Sequence, residues 1–194
     1  MKTIRITVPK VHCVKKNDFL NKDRVYLVLL VTAATTKKTP EIIFSGISGV
    51  SGKFKKNSIK ALNLGTRWAF EVPDDAVFNI TFGLYEYDKG DVYQKYQEKI
   101  TEIADTKGMN YMEVIQELWK AIKNAVGSLD LKKLILALPE VGLKLLQNLR
   151  QDDLLGRRSY SYKANDPNIK YNREFDLTDA GSHYKIQIAL EGVE

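Results

Sequence analysis

A chain of 194 residues and 22.1 kDa can build one well-packed core with an embellishment, but hardly two independent ones. Its 44% hydrophobic and 28% charged residues and five prolines exclude a disordered tail. Thirty Lys and Arg against 24 Asp and Glu give +6, which favours an acidic partner, a lipid surface or a nucleic acid, without choosing between them.

The opening residues MKTIRITV alternate polar and apolar side chains and lack a signal-peptide core, and the longest apolar stretches are too short to span a bilayer. A cytoplasmic site is the default expectation, and export by a leaderless route stays compatible with it. Ile4, Ile6 and Val8 occupy alternate positions, the period of a half-buried strand. Cys13 is the single cysteine, which excludes an internal disulfide, and it reads as a small buried side chain. After the polar stretch 15–23, Val25 to Val31 is a continuous β-rich apolar run of the length of a central strand. Residues 32–60 are the least readable, with one apolar island at Ile42, Ile43 and Phe44 and a strand ending near Leu62. Trp68, Phe70 and Val72 alternate again up to a turn at Pro73-Asp74-Asp75, and Phe78, Ile80, Phe82 and Leu84 form the clearest alternation in the chain.

At about Asp91 the period changes. Asn110 reads as a helix cap with Glu113 three residues on, and Met112, Ile115, Trp119, Ile122 and Val126 follow at helical spacing. Ser128 caps a second helical stretch carrying Leu131, Leu134, Ile135 and Leu138, and Pro139 either kinks it or starts another through Leu145, Leu146 and Leu149. Strand spacing returns weakly at Tyr160 and Tyr162 and clearly at Tyr184, Ile186, Ile188 and Leu190. Residues 92–151 are therefore expected to be a helical insertion in an end loop of one β-domain spanning residues 1–194.

The clearest strand ends in Tyr85-Glu86-Tyr87-Asp88, with carboxylates at alternate positions, and the chain re-enters the sheet through Asp153-Leu154-Leu155-Gly156. The first connection adds Asp18 and then Asp23-Arg24-Val25-Tyr26-Leu27. In these stretches, and in the segment from Lys60 to Phe70, the chain resembles the C2 domain, a calcium-dependent lipid-binding family. The resemblance covers about residues 3–91 and 152–191 and implies a mainly β fold, an antiparallel C2-like Greek-key β-sandwich. It also implies that Asp18, Asp23, Glu86, Asp88 and Asp153 ligate Ca²⁺, although the family usually carries aspartate where Glu86 stands. Calcium takes six to eight oxygen ligands, which carboxylates from separate loops can supply where the loops meet. Successive strands cross an antiparallel sandwich in opposite directions, so the acidic ends meet only if Ile42 to Phe44 adds no full crossing.

Lys53, Lys55, Lys56 and Lys60 form a basic cluster suited to anionic phospholipid headgroups, and equally to a solvated sheet edge that lysines protect from unwanted pairing. The amphipathic helices suit packing onto the fold, and alternatively a protein partner or a homo-oligomer formed through residues 92–151. No phosphate-cradling glycine loop, nucleophile elbow, HExxH motif or zinc-spaced cysteine pair is present, and neither His12 nor His183 has a sequence neighbour suited to catalysis. Nucleic-acid binding has only charge and scattered tyrosines in its favour. The expectation is a non-enzymatic, calcium-responsive module that docks peripherally on anionic membranes. The alternative is a calcium-independent adaptor using the insertion.

Overall fold

The computed structural model describes residues 1–15, 24–35, 41–50, 53–60, 68–87, 154–167, 169–179 and 181–193, together with Pro139 and Leu143. These contain nine strands: β1 (Lys2–Lys15), β2 (Val25–Ala34), β3 (Glu41–Ile47), β4 (Ser58–Lys60), β5 (Trp68–Val72), β6 (Val77–Glu86), β7 (Leu154–Lys163), β8 (Lys170–Asp179) and β9 (Ser182–Val193). They form two antiparallel sheets, one ordered β4-β1-β9-β8 with β5 also on β1, the other β3-β2-β6-β7. Between the sheets lies one core, to which Ile4, Ile6, Leu27, Leu29, Phe82, Ile186 and Leu190 belong. Pro139 and Leu143 have helical backbone. The helical insertion expected over 92–151 otherwise lies outside the described residues.

Pro9 accounts for a feature of the first sheet. Proline has no N–H to give a ladder, so inside a sheet it belongs at bulges and edges. β1 is a central strand, and its pairing with β9 shifts register between Thr7 and Lys10, around Pro9. On its other side the break is wider: β5 pairs residues 2–6 and β4 pairs residues 11–13. Both run antiparallel to β1, so together they make a single crossing. This corrects the sequence-based condition, because Ile42 to Phe44 do belong to a full strand, β3, paired along β2. The count of crossings stays even because β4 and β5 share one.

Two other expectations change. β8 has no counterpart in the sequence reading, although Tyr171, Phe175 and Leu177 alternate; Arg173 interrupts the apolar set. The alternation in β6 implies a half-exposed strand, yet nine of its ten residues are buried, as are all ten of β2. The residues of β6 that point away from the core are Val77, Asn79, Thr81, Gly83 and Tyr85; three of them are small or polar, and all five are enclosed.

Candidate functional site

β1 ends where β4 begins, with Cys13 paired to Ser58 and Asn57 N donating to Cys13 O at 2.7 Å. β9 begins beside the end of β1 as well, with His183 paired to Lys15. In the second sheet, β2 begins against the ends of β3 and β6: Ser48 N donates to Leu27 O at 2.8 Å, and Val25 pairs Glu86. The start of β7 joins them through the Tyr85–Leu154 pair. Each of the connections β1 to β2, β3 to β4 and β6 to β7 therefore leaves and re-enters the sheets at this same end. The short links 73–76 and 164–169 mark the opposite end, where Ala164 N donates to Ala76 O at 2.9 Å.

Three local devices hold this end. Ser48 is fully buried and accepts from Leu27 N at 2.8 Å through its Oγ, so side chain and backbone together staple the exit of β3 to the entry of β2. Tyr87 N donates to Arg24 O at 2.7 Å, which carries the β2–β6 ladder one step past the paired residues, and the Arg24 guanidinium lies 4.2 Å from the centre of the Tyr87 ring. Phe54 is fully buried with its ring edge-on to Tyr184 at 6.0 Å, which pins the middle of the β3 to β4 connection.

Of the five expected calcium ligands, Glu86 is described: it ends β6 half-buried and pairs Val25. Asp18, Asp23, Asp88 and Asp153 lie outside the described residues; Asp23 and Asp88 adjoin Arg24 and Tyr87 in the chain. Among the described residues no group of three or more His, Cys, Asp or Glu is placed to hold a metal. Lys53, Lys55 and Lys56 are exposed and flank the buried Phe54, and Lys60 closes β4. Sequence reasoning missed Phe54, Ser48 and the Arg24–Tyr87 pair. The signal available for Phe54 was one aromatic residue inside a lysine run. Ile59 is also new, an apolar side chain left 66% exposed beside those lysines.

The remaining titratable cluster is on the outer face of the first sheet. His183 Nε2 lies 2.7 Å from Asp176 Oδ1, and this hydrogen bond holds the Asp176 carboxyl below its usual range. Lys185 donates to Glu174 at 3.0 Å, which raises the lysine. Both pairs are exposed cross-strand contacts, joined by Lys185 Nζ lying 4.0 Å from Asp176 Oδ1, and form one solvated ion-pair network across β8 and β9. His12 stands on the same face, and Cys13 is fully buried as expected.

No protein-family model matches the chain. No curated protein matches it. Among solved structures it is similar to the first C2 domain of a plant extended synaptotagmin 1, at 9% identity and a TM-score of 0.42, with 100% of this chain and 96% of that one covered. It is similar to another C2 domain at 10% identity and a TM-score of 0.40, with 98% and 99% covered. A third similar structure is of CC2D1B, described as coordinating ESRCT-III activity during the mitotic reformation of the nuclear envelope; identity is 12%, the TM-score 0.43, and coverage 98% of this chain and 54% of that one.

Proposed function

We propose that this chain is a peripheral membrane-docking module in which Ca²⁺, held by Asp18, Asp23, Glu86, Asp88 and Asp153, recruits anionic phospholipid to one end of the sandwich. The observation that supports the reading is the meeting of strand ends: the connections of β1 to β2 and β6 to β7 carry Asp18, Asp23, Asp88 and Asp153, Glu86 ends β6, the relevant strand ends lie together, and Tyr87 N donates to Arg24 O among them. Acidic side chains gathered there without a cation would repel one another, so the ion would order the loops as well as bind them. Bound calcium supplies positive charge for a lipid phosphate.

Lys53, Lys55, Lys56 and Lys60 are the proposed headgroup contacts. Lys53, Lys55 and Lys56 lie on the β3 to β4 connection at that same end, anchored by Phe54, Lys60 closes β4 beyond them, and each lysine near an anionic surface contributes about 1 kcal/mol. Exposed Ile59 adds an apolar contact beside them. The reading places the protein in the cytoplasm with reversible membrane association, and it assigns no catalytic step to any residue.

Calorimetric titration of the chelator-treated protein with Ca²⁺ and Mg²⁺, paired with co-sedimentation on phosphatidylserine-containing vesicles, tests the proposal. The expected result is saturable, calcium-selective heat and calcium-dependent sedimentation, both lost in the Asp88→Ala/Asp153→Ala variant. Absence of heat at millimolar Ca²⁺, or sedimentation indifferent to that double substitution, overturns it.

A further inference from the structure

Arg173 interrupts the apolar period of β8, and a cleft opens where it stands. It pairs with the buried Ile188 at a core-side position, between Tyr171 and Phe175, which pack on the core. A charged residue on a core-facing register is the kind of local conflict that concentrates at functional sites. Its guanidinium is exposed and lies 5.2 Å from the centre of the Tyr171 ring. Among the described residues it pairs with no carboxylate and donates to no acceptor, whereas Arg158 on the facing strand donates to Arg157 O at 2.9 Å. An apolar side chain in its place would close the margin of the sandwich between the edge strands β7 and β8. With arginine there, Ile80, Ile188 and Leu190 form the floor of a cleft whose walls are aromatic.

Two aromatic pairs bridge the sheets across this cleft. Tyr160 and Phe175 stand 4.6 Å apart on one side of Arg173, and Tyr162 and Tyr171 stand 5.1 Å apart on the other. The two pairs are two residues apart on β7, about 6.7 Å, but four residues apart on β8, about 13 Å. The space between them is therefore a wedge that widens toward β8. A flat ring needs about 3.5 Å to each neighbouring layer, so a single ring fits this wedge. The walls are fixed in place: Phe82 packs on Phe175 at 5.4 Å, Phe78 on Tyr162 at 5.5 Å, and the Tyr171 hydroxyl donates to Asp166 at 3.1 Å. Burial pushes the Tyr162 hydroxyl up to about 12 and raises Tyr171 as well, so neither supplies a negative charge to the arginine. A guanidinium is a planar fork matched to a carboxylate, and aromatic walls favour a rigid ring over a flexible chain.

We propose that the cleft between β7 and β8 binds a small flat aromatic carboxylate, its ring between the two aromatic pairs and its carboxylate on the Arg173 guanidinium. Tyr162 and Tyr171 flank the 164–169 link, so the cleft lies toward the end of the sandwich opposite the acidic connections. It is a site separate from the proposed calcium end.

The test titrates the full chain with naphthoate in calcium-free buffer and follows the methyl resonances of Ile80, Ile188 and Leu190. Saturable shifts of these methyls are expected, with binding at least tenfold weaker in Arg173→Gln. The neutral analogue naphthalenemethanol should bind the unaltered chain at least tenfold more weakly than naphthoate, which checks the charge contact without any substitution. Absence of a saturable shift at millimolar naphthoate overturns the proposal, as does equal binding by a folded Arg173→Gln chain. Octanoate that binds as tightly as naphthoate overturns it too, because the walls then hold a chain and not a ring. If Arg173→Gln self-associates while naphthoate binding is unchanged, the arginine guards a strand edge and the proposal fails. No calcium or lipid is present, so either outcome leaves the membrane-docking proposal standing.

Discussion

The two outer faces of the sandwich are built from opposite material. On the first sheet, Arg5, Lys10, Glu174, Lys185 and Glu191 stand half-buried or exposed, and the Arg5–Glu191 pair at 2.8 Å is typical of what crosses it. On the second sheet the corresponding positions hold Tyr26, Val28, Leu30 and Tyr85, all enclosed. The strands record the difference in their periods: β9 alternates between buried and half-buried, whereas β2 is buried throughout. A strand facing water on one side alternates, and one covered on both sides reads as a continuous apolar run. The second sheet is thus buried on both of its faces along β2 and β6, and the first sheet is the one with a solvated face.

The largest expected contrast comes from truncating one side chain on each face. Leu30→Ala should cost about 2–5 kcal/mol in urea unfolding, as a core truncation does, against about 0.5 kcal/mol or less for Lys10→Ala. Equal small effects would mean that the second face is not sealed.

Gly156→Ala comes next, at about 1–3 kcal/mol. A Cβ at Gly156 would lie 2.6 Å from Leu177 Cβ, and the backbone there has φ +152°, so the two sheets approach each other here only because this residue has no side chain. Thermal melts of Gly156→Ala against wild type measure it.

The polar part of the covered face gives a sharper probe. Asn79 donates to Thr81 at 2.7 Å and accepts from Ser159 at 3.0 Å, and Thr81 and Ser159 are 2.7 Å apart. Asn79→Ala leaves buried hydroxyls short of partners and should cost about 1–3 kcal/mol. A similar deletion on the open face, Gln187→Ala, removes the 2.6 Å bond to Asn172 but lets water replace it, and chemical denaturation should find the two far apart.

The smallest effect belongs to Asp176 on the open face. Its carboxyl is held low by His183, so the pair contributes above the ordinary aspartate range near 4, and that contribution is lost as pH falls through the lowered folded value. Because the aspartate is 57% exposed, Asp176→Asn should flatten the acid limb of stability against pH by no more than a few tenths of a kcal/mol.

Most of the sandwich was legible from pattern. Ile4 to Val8, Val25 to Val31, Trp68 to Val72, Phe78 to Leu84 and Tyr184 to Leu190 all lie in strands, because half-burial writes a two-residue period and full burial an unbroken apolar run. β8 escaped because Arg173 stands at a core-side position, its guanidinium 5.2 Å from the Tyr171 ring, and a charged residue there breaks the apolar period. Of the proposed site, the acidic residues and lysines were visible as residue types, and the strands around them as neighbours in the chain. That these strand ends share one end of the molecule depends on pairings between residues such as Val25 and Glu86, or Cys13 and Ser58, far apart in sequence.

What the sequence determined by itself is the set of strands, the buried Cys13 and the chemistry available at the acidic and basic stretches, since these follow from local period and residue type. Only the tertiary structure decided that β4 and β5 make one crossing on either side of Pro9, that three connections converge on one end, and that Asn79, Thr81 and Leu30 lie on a covered face. The physical reason is that a period records whether a side chain is buried, while what buries it and which distant strand completes its hydrogen bonds are set by contacts that no local window contains.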